Sequence, residues 1–153
     1  MNKKGFTLIE LLVVIAIIGL LSTLAVVSLN NARQKSRDSK RVADVKQIQT
    51  ALELYYNDCN NYPETLATTA SNGCPSGTTL GTFMAQIPTA PTPADGSCTT
   101  AQNTYTYTAS GNSACDGSGN DGVCSSYSLT FCLGSDTGEL SSGPRTATPS
   151  GIQ

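Results

Sequence analysis

The chain has no histidine and no tryptophan, and only 13% of its 153 residues are charged. Without histidine, no nucleophile–base pair of the Ser-His or Cys-His kind can be built, and no mixed Cys/His zinc site can be completed. Bases are nearly missing from the second half. Eight of the nine Lys and Arg lie in the first 46 residues, and 65–153 holds Arg145 alone beside five acids. That stretch offers no basic face for nucleic acid. There is no GxxxxGK[ST] phosphate loop, and the few carboxylates are too scattered for paired acid–base work. The chain does not read as an enzyme. Proline is absent before Pro63, so nothing in the first 62 residues forces a helix to break. The length suits one small domain plus a helical anchor.

What is present begins at the amino terminus. Met-Asn-Lys-Lys-Gly is followed by Phe6-Thr-Leu-Ile-Glu10 and then by an unbroken apolar run to Leu29. As a helix, Phe6 to Leu29 would rise roughly 36 Å, enough for a hydrocarbon core of about 30 Å. Glu10 does not suit a plain anchor, because an acid at mid-membrane costs about 2.5 to 3.5 kcal/mol. No base lies between Lys4 and Arg33. The expected partner is therefore a group outside the helix, or a new positive charge at its start. A secretory signal cut near Thr23-Leu24-Ala25 is a competing reading, disfavoured by the acid at the front of the apolar region. Cleavage after Gly5 would create the missing charge, a free amine on Phe6 one turn from Glu10.

Gly5, Phe6, Thr7 and Glu10 together resemble the type IV prepilin signal. The resemblance implies cleavage after Gly5, N-methylation of Phe6 by a prepilin peptidase/methyltransferase, and pairing of Glu10 with a neighbouring subunit's amine. It also implies a homo-oligomeric helical filament built at an inner-membrane assembly platform. The protein would be a single-pass membrane protein first and an extracellular filament afterwards. Five bases, Arg33, Lys35, Arg37, Lys40 and Arg41, follow the apolar run, and the positive-inside rule counts against that orientation. We set the rule aside because the five leading residues leave little else to face outwards, and because six cysteines favour an oxidising compartment.

Beyond Leu29 an apolar stripe resumes at Val45, Ile48, Leu52 and Tyr55, with Val42 and Ala51 beside it, at helical spacing. One helix from about Phe6 to Asp58 is expected, with Asp38, Arg41 and Asp44 supporting an exposed face. Tyr105–Ala109 and Tyr127–Leu133 alternate as antiparallel strands, and Ser110–Gly122 reads as the loop between them. Gly138–Leu140 could begin a third strand, and Thr79–Gln86 a short helix. The segment from Ala43-Asp44 through Tyr55-Tyr-Asn-Asp58 to Asn61-Tyr62-Pro63, then Ile87-Pro88, is similar to major pseudopilins of type II secretion and related pilins. The expected fold is α+β: a long N-terminal helix packed on a small antiparallel, disulfide-stapled head. Its parts are a leader (1–5), a membrane or filament-core helix (6–29), an amphipathic outer half (30–58), a head (59–143) and a flexible tail (144–153).

Cys59, Cys74, Cys98, Cys115, Cys124 and Cys132 all follow the apolar helix, and none has zinc-knuckle spacing. Fifteen pairings are open to six cysteines. The working set is Cys59–Cys74, Cys98–Cys132 and Cys115–Cys124. Leu133–Gly138 falls where the similar family often carries a calcium loop, which makes Asp136 the candidate ligand, although the family's further acids are not evident. Asp116, Asn120 and Asp121 form a second acidic group, at glycines where such residues are first of all turn formers. No other cofactor is expected. The function read from the sequence is a structural subunit of a type IV pilus-like filament. The alternatives are a major pseudopilin of a secretion or DNA-uptake pseudopilus and, from another class, a monomeric membrane-anchored adhesin.

Overall fold

The computed structural model describes residues 5–71, 74, 77–112, 115 and 123–153. Helix α1 runs Leu8–Cys59, 52 residues. It divides between two compact units, Met1–Gln34 and Lys35–Gln153. Its end is set by Asn60, which takes a left-handed φ of 52° and returns its N–H to the Tyr56 carbonyl at 2.7 Å. Asparagine is one of the few residues that tolerates this helix-closing conformation. In the first unit the large apolar side chains from Phe6 to Leu29 are 46–81% exposed. By length and composition this part of α1 could cross a membrane.

In the second unit the stripe at Val45, Ile48, Ala51, Leu52 and Tyr55 is buried, in one cluster with Tyr127, Leu129, Phe131, Leu133 and Ala147. Those residues belong to a four-stranded antiparallel sheet, order β1-β2-β3-β4, formed by Thr106–Gly111, Cys124–Leu133, Gly143–Thr148 and Gly151–Ile152. The long helix, the small antiparallel sheet and the disulfides are the α+β pilin-like fold expected. Disulfides join Cys59 to Cys74, Cys98 to Cys132 and Cys115 to Cys124. A short helix α2 spans Leu80–Phe83 and buries Leu80. It is shorter than Thr79–Gln86 because the chain is already extended at Met84.

Two expectations are corrected. Residues 144–153 are not a flexible tail. Gly143, at φ 105°, turns the chain into β3, where Ala147 is fully buried opposite Leu129 and Arg145 pairs with Phe131. Gln49 Nε2 also donates to the Thr148 carbonyl at 2.9 Å, tying this hairpin to α1. The third strand is therefore β3. Gly138–Leu140 forms only a tight turn closed by a Thr137–Leu140 bridge. Most of the Ser110–Gly122 loop, including Asp116, Asn120 and Asp121, lies outside the described residues.

Deleting Pro144–Gln153 from the full chain should therefore abolish the cooperative thermal transition of the head, followed through tyrosine near-UV circular dichroism. An unchanged transition would show that β3 and β4 are dispensable.

Candidate functional site

Two groups of polar residues stand out. The first is at the start of α1. The Thr7 N–H and hydroxyl both donate to Glu10 Oε2, at 2.8 and 2.6 Å, and the Glu10 N–H donates back to Thr7 Oγ1 at 3.3 Å. This is a capping box, in which a threonine and a glutamate three residues later satisfy each other's free backbone donors. It gives Glu10 a neutral partner at the start of its own helix, besides the charged one, outside the helix or at its start, that the sequence leads us to expect. The Thr7-Leu-Ile-Glu10 spacing carried that signal. Gly5 and Phe6 lie just ahead of the cap, exposed, where a Phe6 amine would be one turn from the carboxylate.

The second group lies in the head, and the charge pattern alone misplaced it. Asp38, Arg41 and Asp44 are buried at 0, 1 and 8% exposure, not arrayed on an open helix face. Arg41 Nη1 donates to Asp38 Oδ1 at 2.7 Å and to Asp95 Oδ2 at 3.1 Å. Its Nη2 donates to the Pro91 and Pro93 carbonyls and to Asn103 Oδ1, at 3.0, 3.1 and 2.8 Å. Asp38 in turn accepts from the Gly134 N–H, the Ser135 N–H and the Ser135 hydroxyl at 3.0, 2.9 and 2.7 Å. Arg37 grips Asp95 through Nε and Nη2. Lys40 pairs with Asp44, which also accepts from the Tyr105 hydroxyl at 2.9 Å. The reason is tertiary: loops 91–95 and 134–135 bring carbonyls, amides and one carboxylate down onto this turn of α1. Asp95 was not singled out because it is far away in sequence and isolated in a Pro/Thr-rich stretch.

Three of the five bases after the apolar run, Arg37, Lys40 and Arg41, are thus ion-paired to acids of the head. Their presence has a structural reason apart from membrane orientation. The Arg37 guanidinium, helped by Arg41, holds the Asp95 carboxyl below its ordinary value against the opposing effect of burial. Burial, with the hydrogen bond to Asp44, pushes the Tyr105 hydroxyl well above the usual tyrosine range.

The expected calcium ligand does not fit a metal. Asp136 Oδ1 accepts from the Ser142 N–H at 2.7 Å, closing a turn, and the loop's Gly134 and Ser135 present amide donors, not oxygens, to Asp38. Among the described residues no three His, Cys, Asp or Glu come together as metal ligands. A hard cation needs several converging oxygens.

Residues 1–26 match the family of the prokaryotic N-terminal methylation motif. The chain is 41% identical over 64 residues to type II secretion system core protein G of Pectobacterium carotovorum, covering 42% of this chain and 41% of that protein. It is 31% identical over 96 residues to the core protein G of Vibrio cholerae, with 59 and 66% covered. It is 40% identical over 75 residues to the type IV wide pilus major component PilA4 of Thermus thermophilus, with 49 and 57% covered. The chain spans less than half the length of the first of these relatives. No solved structure matches it. The prepilin-type resemblance read from Gly5, Phe6, Thr7 and Glu10 stands, and the similarity extends to structural proteins of secretion and pilus systems.

Because the folded state holds Asp95 as a carboxylate, its contribution to stability is complete above the ordinary value of 3.8 and is lost as pH falls below it. The head should be stable from neutral pH to about 5 and weaken steeply below 4. Asp95→Asn should lower neutral stability by roughly 3 to 5 kcal/mol, since it strips a partner from two arginines, and should flatten the acid limb. Urea unfolding across pH, variant against wild type, measures both.

Proposed function

We propose, from a chain that carries the prepilin-type methylation motif and shares its N-terminal part with pilus and secretion subunits, that this protein is a filament subunit. It is held in a membrane by Phe6–Leu29, cut after Gly5 by a prepilin peptidase, methylated on Phe6, and drawn from an inner-membrane platform into a helical assembly of its own copies. The carrying observation is the first unit itself. Its apolar side chains are largely exposed from Phe6 to Leu29, so lipid or other copies must cover them. A carboxylate sits at the front of that surface, at Glu10.

Both environments suit the same segment. In lipid the Thr7 cap meets part of the hydrogen-bonding demand of Glu10. In a filament the methylated Phe6 amine of a neighbour supplies the opposite charge, and charge-assisted bonds are the stronger kind. Such a contact also sets the axial register of an incoming copy. A second reading, a short pseudopilus of a secretion system, is favoured by the run of core protein G relatives.

Two measurements test this. Mass spectrometry of sheared surface filaments should find the protein beginning at methylated Phe6, and Met1 retained there would overturn the processing step. Glu10→Val should insert and be cut normally yet give few or no filaments by electron microscopy, with Glu10→Asp milder. Wild-type filament numbers from Glu10→Val would show the carboxylate to be incidental.

A further inference from the structure

The sheet-end loop Leu133–Gly138, read from the sequence as a candidate calcium loop, is organised here around an arginine. Arg41 is 1% exposed and directs two nitrogens at five oxygens from Asp38, Pro91, Pro93, Asp95 and Asn103. These come from α1, from the 91–95 loop and from the segment leading into β1. Convergence of hard oxygen donors from separate loops on one buried positive charge is the arrangement a bound divalent cation would need. The second layer is equally specific. Asp38, fixed by Arg41, receives the amides of Gly134 and Ser135 and the Ser135 hydroxyl. Around it the two loops touch backbone to backbone. A Cβ on Gly96 would collide with the Gly134 carbonyl, and one on Gly134 would collide with Asp95. Cys98–Cys132 ties the chain just beyond the first loop to the end of β2, just before the second.

We infer that Arg41 is the built-in cation of this head: through Asp38 and Asp95 its guanidinium positions the 91–95 and 133–138 loops, so the head closes without a metal ion. Arg41 touches no substrate and is a positioning residue. The inference does not depend on the filament reading, since it concerns the folding of the head in any assembly state.

Thermal unfolding of the full-length oxidised chain in detergent, in millimolar calcium chloride and in EDTA, is the first test. The midpoint should be the same in both. A midpoint several degrees higher in calcium and reversed by EDTA would overturn the inference, because a ligand bound only by the folded state must raise it. Arg41→Gln should lower the midpoint in both solutions. Arg41→Lys should recover only part of it, since an ammonium lacks the planar fork that reaches both loops. Should Arg41→Gln not fold, Asp38→Asn provides the second reading, by hydrogen exchange at the Gly134 and Ser135 amides. Their protection should drop by roughly tenfold or more, with calcium restoring none of it. Unchanged protection, or its recovery in calcium, would place the organising charge elsewhere.

Discussion

The folded head depends on one desolvated guanidinium. Burying a charge such as Arg41 is unfavourable by several kcal/mol unless nearly all its donors are met. Here two carboxylates and three neutral oxygens meet all but Nε. The compensation is not local to the helix. It requires Pro91, Pro93 and Asp95 on one loop and Asn103 near β1, and it frees Asp38 to hold Gly134 and Ser135 at the end of β2. If any of those segments is displaced, an uncompensated charge remains buried, which is why a few polar contacts can dictate where long, weakly apolar loops must lie.

Loops of this kind need such direction. The segment between α1 and β1 is rich in Pro, Gly and Thr and buries little of its own: Tyr62, Leu80 and Met84 are its main contributions to the core. A small domain with so modest an apolar centre is marginal by hydrophobic burial alone. Two of the three disulfides hold this segment. Cys59–Cys74 fixes the chain as it leaves α1, and Cys98–Cys132 and the arginine network fix the next loop from two sides. Tyr62, stacked on Tyr56 and edge-on to Tyr127, carries the helix exit across to the sheet.

What the sequence disclosed, and what it hid, follows from the range of the interactions. Helix α1 and strand β2 were legible because periodicity is local: Val45, Ile48, Leu52 and Tyr55, or Tyr127, Leu129 and Phe131, repeat without knowledge of anything distant. The start of α1 was legible as a processing signal, yet its capping box was overlooked because Glu10 was weighed as a charge in lipid and not as the third residue after Thr7. Asp38, Arg41 and Asp44 looked like a solvated face because charges at one-turn spacing usually are. Distant partners such as Asp95, 54 residues beyond Arg41, reverse that reading, and no local pattern marks them. Strand β3 was hidden for a related reason. Pro144 and Gly143 mask the short Thr146-Ala147-Thr148 alternation, whose single buried side chain gains its meaning only opposite Leu129.

The two units hold charge in different ways, and the difference bears on what each can do. In the head Asp38, Arg41, Asp44 and Asp95 are each held by two or more partners, so losing one contact strains the rest. Among the described residues Glu10 is held by its neighbour Thr7 alone, through bonds that any turn-sized rearrangement or incoming donor can replace. A carboxylate capped in this way is never bare in an apolar setting, yet it remains exposed and exchangeable. On the filament reading that is the required combination. The cap makes waiting in lipid tolerable, and a neighbour's amine, being charged, can outcompete a hydroxyl and an amide for the same oxygens. On that reading the head supplies a fixed shape to be carried, whereas the first turn of α1 supplies a polar contact weak enough to be traded during assembly.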